Sequence, residues 1–224
     1  MIFLSNRDGS GGLYQKATNG AGSDELVYKG GQGLAVNQWS GDSRFVIFNM
    51  ADSQTKNDLW LLPMTGDRKP IPWIRSVFNE TGGRISPDGR FVAYRSDESG
   101  GNEVYVQPFN PTADSGTSAA GGKWMVSRGS LGMARWRNDG KELFYLAADG
   151  KVMAINVSTN PDFHAGSPTV LFQLPAGFLR GAAFPGTLGD VTADGKKFLF
   201  AIPMAQVGRE EFTVLLNWQA VLRK

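Results

Sequence analysis

The chain has no cysteine and only one histidine, His164, in 224 residues. The first absence excludes disulfides, thiolate zinc sites and cysteine nucleophiles. The second leaves no pair of imidazoles for a histidine-based zinc site. A Ser-His-Asp triad would have to use His164, in the stretch NPDFHAGSP, yet no G-x-S-x-G elbow presents a serine to it. Beside proline and glycine, His164 reads as a surface loop residue. No apolar run approaches the roughly 18 residues of a membrane span. The start, MIFLSNRDGSGG, lacks the charged-then-apolar layout of a signal peptide. Neither sign of charge is in excess: 23 Lys and Arg are spread evenly against 21 Asp and Glu, which leaves no nucleic-acid footprint. Missing cysteine does not fix the compartment, because proteins outside the cytoplasm can also lack it.

What the chain does have is a repeat. The copies read WSGDSRFVIFN (39–49), ISPDGRFVAYR (85–95), WRNDGKELFYL (136–146) and VTADGKKFLFA (191–201). Their turn aspartates are Asp42, Asp88, Asp139 and Asp194, so successive copies lie 46, 51 and 55 residues apart. A self-similarity at this period marks a repeat architecture. Asp-Gly between apolar runs is a strong hairpin signal, because both positions tolerate positive φ and the Asp side chain caps its own turn. Three copies have Asp-Gly; the first has Asp42-Ser43. These four aspartates therefore read as turn-formers rather than catalysts. Hydrophobic content of 41% and charged content of 20% are those of a folded chain, and 29 glycines suit many short strands.

Each copy has one internal order. A short first strand ends on a large apolar residue: Trp39, Ile85, Trp136 or Val191. The Asp turn and a second strand follow (RFVIF, RFVAY, ELFYL, KFLFA), then a third strand at 57–64, 102–109, 150–157 and 210–218. A looser fourth strand is predicted at 70–76, 122–128 and 168–174. Four antiparallel strands in roughly 45 residues make the blade of a β-propeller. The second strands are almost continuously apolar, whereas a strand of a two-layer sandwich has one wet face and should alternate. The expectation is an all-β propeller of about five units, over 1–30, 34–78, 82–128, 132–174 and 187–222, forming a single domain. The first unit lacks its first strand, since MIFLSN reads as a second strand, and the last unit lacks its fourth. Such an open array exposes sheet edges. The units close on themselves, or a second copy completes the ring as a homodimer, or the chain is part of a longer protein.

The stretches 85–109, 121–129 and 134–157 and the ending VLLNWQAVLRK (214–224) resemble TolB-like, WD-repeat-like propeller repeats. More narrowly, they resemble the propeller in the C-terminal part of bacterial receptor-type serine/threonine kinases. The resemblance covers nearly the whole chain and is strongest over 82–157. It implies a non-catalytic module for protein contacts or ligand sensing, with no cofactor, outside the cytoplasm or in the periplasm. The ending resembles a family C-terminus, so any missing sequence is expected at the beginning. Kinase motifs are absent: there is no Val-Ala-Ile-Lys-like lysine strand, no His-Arg-Asp and no Asp-Phe-Gly.

Little else carries chemistry. Asp97, Glu98 and Glu103 in SDESGGNE (96–103) offer oxygens to Ca²⁺, but the same position in other copies reads SNRDGSGG and ADSQTKND, which favours a polar hairpin over a metal site. Glu210-Glu211 is a second acidic pair. GGQGLAVNQ (30–38) opens no helix and so does not cradle phosphate as a P-loop does. The low-complexity segment 110–122 reads as a tolerated loop insertion. Trp39 and Trp136 share one repeat position and are expected as wedges between blades; Trp60, Trp73, Trp124 and Trp218 fall on third or fourth strands.

One column stands apart. The residue before the large apolar one is Gln38, Arg84, Arg135 and Asp190 in the four copies. First strands line a propeller's central channel, so these four are expected to form a polar ring near one mouth. Arginines there could hold a small anionic ligand or an acidic group of a protein partner. The alternative is a structural ion pair between Arg135 and Asp190 on adjacent blades. Two further function classes stay open: the gating propeller of a prolyl-oligopeptidase-type hydrolase or a propeller glycosidase, and a self-assembling structural propeller.

Overall fold

In a computed structural model of the chain, residues 1–7, 9–31, 33–111, 122–175 and 189–200 are described. The strand expected at 210–218, with Trp218 and the Glu210-Glu211 pair, lies outside these residues, as does most of the 110–122 loop. Every described element is a strand.

The strands form five antiparallel sheets in series. The first contains β1 (Ile2–Ser5), β2 (Gly12–Gln15) and β3 (Glu25–Lys29), paired in that order. The second contains β4 (Ala35–Trp39), β5 (Phe45–Asp52), β6 (Lys56–Pro63) and β7 (Ile71–Ile74). The third repeats this order with β8 (Thr81–Ile85), β9 (Phe91–Ser96), β10 (Glu103–Pro108) and a two-residue β11 (Trp124–Met125). The fourth has β12 (Ser130–Trp136), β13 (Glu142–Ala147) and β14 (Lys151–Ser158). There β14 pairs both with the short β15 (His164–Ala165) and with β16 (Thr169–Gln173). The fifth shows β17 (Gly189–Val191) and β18 (Phe198–Phe200).

Consecutive side chains of a strand point to opposite faces of its sheet. In β5, Val46, Ile47 and Phe48 are nevertheless all inaccessible to solvent, and so are Val92, Ala93 and Tyr94 of β9. Both faces of these second strands are covered because each lies between two neighbouring sheets. Val46 and Phe48 pack with Leu13 and Leu34 toward the first sheet, whereas Ile47 packs with Val92 and Tyr94 of the third. Phe91 and Ala93 turn the other way, to Leu143 and Tyr145 of the fourth sheet. Phe144 and Leu146 meet Phe198 and Phe200 of the fifth. The core is therefore four slabs between five blades. Each buried aromatic is worth about 3–5 kcal/mol against truncation to alanine.

One local expectation needs correction. His164 is exposed but sits in β15, with Ser158 as its ladder partner, rather than in a loop. Its neighbour Phe163 is buried and stacks near Phe91, Trp124 and Trp136, a cluster that pins the excursion to the blade. Arg90 holds the same excursion from outside, donating to the carbonyls of Thr159 and Pro161 at 2.6 Å each. Trp39 and Trp136 are partly buried and pack against the slabs between their blades, as wedges. Each indole N–H reaches a backbone carbonyl, of Ser43 and Arg84 respectively.

Candidate functional site

The first strands converge, β4 against β8, β8 against β12 and β12 against β17. In three of them the ladder shifts register just before the residue singled out above: between Val36 and Gln38, between Thr81 and Arg84, and between Gly132 and Arg135. A bulge bends its strand and re-aims the next side chain. In β8 the bulge needs glycine twice. Gly82 has φ +73°, and a Cβ on Gly83 would come within 2.9 Å of Ile47 Cγ2. The ladders then place Gln38 opposite Ile47, Arg84 opposite Ala93, Arg135 opposite Phe144 and Asp190 opposite Leu199. These are equivalent steps of four blades, and all four side chains line one open cavity of about 950 Å³.

Within this ring the two arginines differ. Arg135 donates to the carbonyls of Gly189 (2.8 Å) and Ala134 (3.0 Å), and its Nε lies 3.3 Å from Asp190 Oδ1. The expected alternative, an ion pair across adjacent blades, is thus present. Arg84 is half-buried at the mouth, and its guanidinium has no hydrogen bond or ion pair among the described residues. Burial, with the charge of Arg135 beside it, pulls its pKa down to about 9; Asp190 only partly offsets this. Gln38 accepts a hydrogen bond from the Ile85 amide at 2.7 Å through Oε1, so its amide N–H groups are the part left to meet a ligand.

Around the rim stand the Asp turns. Asp42, Asp88, Asp139 and Asp194 each accept from the backbone N–H two residues on, at 3.0–3.1 Å. In three copies a hydroxyl (Ser40, Ser86 or Thr192) donates to the same carboxylate at 2.6 Å while accepting from the amide three residues after the Asp. In the remaining copy Arg137 takes the hydroxyl's place, grasping Asp139 with Nε and Nη2. The Ser40 hydroxyl and the Arg44 amide hold Asp42 down at about 2, and Arg137 and the Lys141 amide do the same for Asp139. Carboxylates held ionised in this way are poor proton donors at neutral pH.

Other acidic groups lie elsewhere. Asp97 and Glu98 sit in the β9–β10 hairpin, where Asp97 takes the Asn79 amide and Lys56, and Glu98 pairs with Lys123. No three His, Asp or Glu side chains among the described residues are grouped to hold a metal ion. Two further carboxylates, Asp58 and Glu80, are buried without a signal in the sequence. Nothing in KNDLW or NETGG marks them, because their burial comes from the packing of the second blade on the third.

Compared with known structures, the chain superposes on TolB from Acinetobacter baumannii with a TM-score of 0.65 and 15% identity, over 91% of this chain and 46% of that one. A protein assigned as TolB from Agrobacterium tumefaciens gives 0.60 and 15%, over 77% and 61%. The fold is a TolB-like β-propeller. An oligogalacturonate lyase in complex with manganese also superposes, with a TM-score of 0.53 and 17% identity over 85% of this chain and 50% of that one. Identities this low show a shared propeller and nothing about activity. No family model matches the sequence, and no curated protein matches it. The propeller described here spans 46–61% of the two TolB chains. No helix among its described residues is long and apolar enough to cross a membrane.

Proposed function

We propose that this propeller is a non-enzymatic binding module whose channel mouth takes an anionic group, either a small ligand or an acidic side chain or terminus of a protein partner. The observation that carries the reading is the contrast between Arg135, tied to Asp190 and two carbonyls, and Arg84, with no such partner among the described residues. A guanidinium withdrawn from water without a counter-charge costs stability, and a bound carboxylate, phosphate or sulfate would offset that cost through paired N–H donors. The Gln38 amide and the Trp136 and Phe109 rings beside it supply polar and apolar contacts for the remainder of a ligand. The non-enzymatic part of the reading is supported by the low pKa of the rim carboxylates and their engagement in turns.

The test is thermal unfolding in sodium sulfate against sodium chloride of equal ionic strength. Binding to the folded state alone stabilises by RT ln(1 + [L]/Kd), about 1.4 kcal/mol at tenfold Kd. Sulfate also stabilises any folded chain by exclusion from its surface, so Arg84→Met should keep that general gain and lose the remainder, and it should also be the more stable protein in chloride. An equal gain in both proteins would remove the reading.

A further inference from the structure

On the side of the propeller away from the Asp turns, Asp58 at the start of β6 and Glu80 just before β8 are 0% and 1% exposed. Each has one oxygen satisfied. Asp58 Oδ2 accepts from Thr55 Oγ1 at 2.6 Å, and Glu80 Oε1 accepts from Ser76 Oγ at 2.5 Å. The second oxygen of each, Asp58 Oδ1 and Glu80 Oε2, is buried without a hydrogen-bond partner. The backbone ties the same place together, since the Glu80 amide donates to the Asn57 carbonyl at 2.7 Å and Asn57 Nδ2 donates to Asn79 Oδ1 at 2.9 Å. Between them runs the loop that links the second and third blades, carrying the exposed Val77 and Phe78. Ser76 organises this loop, accepting from the Phe78 amide while it donates to Glu80.

A buried carboxylate with an unsatisfied oxygen is costly when ionised. Cationic help is distant or committed. Arg75 reaches Asp58 only at 3.6 Å and is bonded to Asp52 at 3.1 Å. Lys56 is held by Asp97 at 3.0 Å, and Lys123 is paired with Glu98. Tyr94 of β9 is the remaining titratable group that feels the charge of Glu80.

We propose that Asp58 and Glu80 form a proton-controlled clasp between the second and third blades, docked while the pair carries a proton and opening the 76–80 loop once both are ionised. Desolvation pushes Glu80 up to about 7; the charges of Asp58 and Glu98 add to this, while Ser76 and Lys123 oppose it. Burial raises Asp58 as well. An opened loop would return Glu80 to its ordinary value near 4.5. Between those two pH values the open form sheds a proton that the closed form keeps, so closure weakens as pH rises and levels off above about 7. The clasp stands apart from the anion reading, since it uses none of the channel residues.

Two measurements on the full chain test it. Carboxyl ¹³C NMR of the wild type should show Glu80 titrating near 7. Hydrogen exchange at Val77–Gly82, corrected for intrinsic rates, should show opening about 30-fold more frequent at pH 8.5 than at pH 5.5, the linkage expected of an acid moving between 4.5 and 7. Asp58→Asn should lower the Glu80 midpoint, Ser76→Ala should raise it, and Glu80→Gln should flatten the pH dependence of exchange. A wild-type midpoint between 4 and 5, or equal protection at the two pH values, would overturn the clasp. If Glu80→Gln does not fold, the opposite shifts of the other two variants decide.

Discussion

Gln38 and Trp136, from the blades on either side, grip the two polar atoms of a single peptide group: the Ile85 N–H donates to Gln38 Oε1 at 2.7 Å, and the Arg84 carbonyl accepts from Trp136 Nε1 at 2.9 Å. That peptide lies at the end of β8, immediately after the bulge, and carries the Arg84 side chain. The position of the arginine is therefore fixed by its neighbours as much as by its own strand.

Removing either grip leaves a half-buried backbone group without its partner, which costs about 1–3 kcal/mol. Trp136→Phe and Gln38→Leu should each destabilise by that amount in urea unfolding. Because both act on one peptide, the double variant should depart from additivity by at least about 0.5 kcal/mol. Strict additivity would mean that the two contacts do not act as a unit.

Ser43 holds φ +59° at the position where the other three Asp turns have Gly89, Gly140 and Gly195 at +72° to +75°. A residue with a Cβ in this region pays roughly 1–2 kcal/mol, while glycine gives back part of that through unfolded-chain entropy. Ser43→Gly should therefore stabilise by about 0.5–1 kcal/mol, read as a higher urea midpoint with unchanged slope. Ser43→Gly without gain would show the first turn to be relaxed as it stands.

The turn carboxylates contribute to stability on the acid side. Asp42 and Asp139 titrate at about 2 in the folded chain, against 3.8 ordinarily. A lowered pKa contributes stability that is present above the ordinary value and is lost as pH falls through the folded one. Unfolding midpoints should fall as pH drops from 4 to 2. Asp139→Asn should show a shallower decline over that interval than the wild type.

How much of this was written in the sequence depends on how local the cause is. The blades were legible because Asp-Gly turns and doubly apolar second strands are local patterns with one structural meaning. The ring column of Gln38, Arg84, Arg135 and Asp190 was legible for the same reason, each residue standing one step before a conspicuous apolar one. The bulges have no unambiguous local sign, although Gly82-Gly83 and Gly132 stand at two of them. Which arginine is satisfied could not be read, because Arg135 owes its partners to the carbonyl of Gly189 and the carboxylate of Asp190, 54 and 55 residues away. Glu80 and Asp58 were invisible for a similar reason: their burial belongs to neither segment but to the contact between blades. Phe163 carries no local sign of an aromatic anchor, since it stands in a proline-flanked stretch beside an exposed histidine.

The proposed anion binding rests on the Arg84 guanidinium, which has no hydrogen bond or ion pair among the described residues. Backbone amide NMR of the full chain, titrated with sodium sulfate at constant ionic strength, tests this most directly. Saturable shifts confined to Gly83–Ser86 and the facing residues Gln38 and Trp136 are expected, and they should disappear in Arg84→Gln. Shifts that grow linearly without saturating, or that persist unchanged in Arg84→Gln, would contradict it.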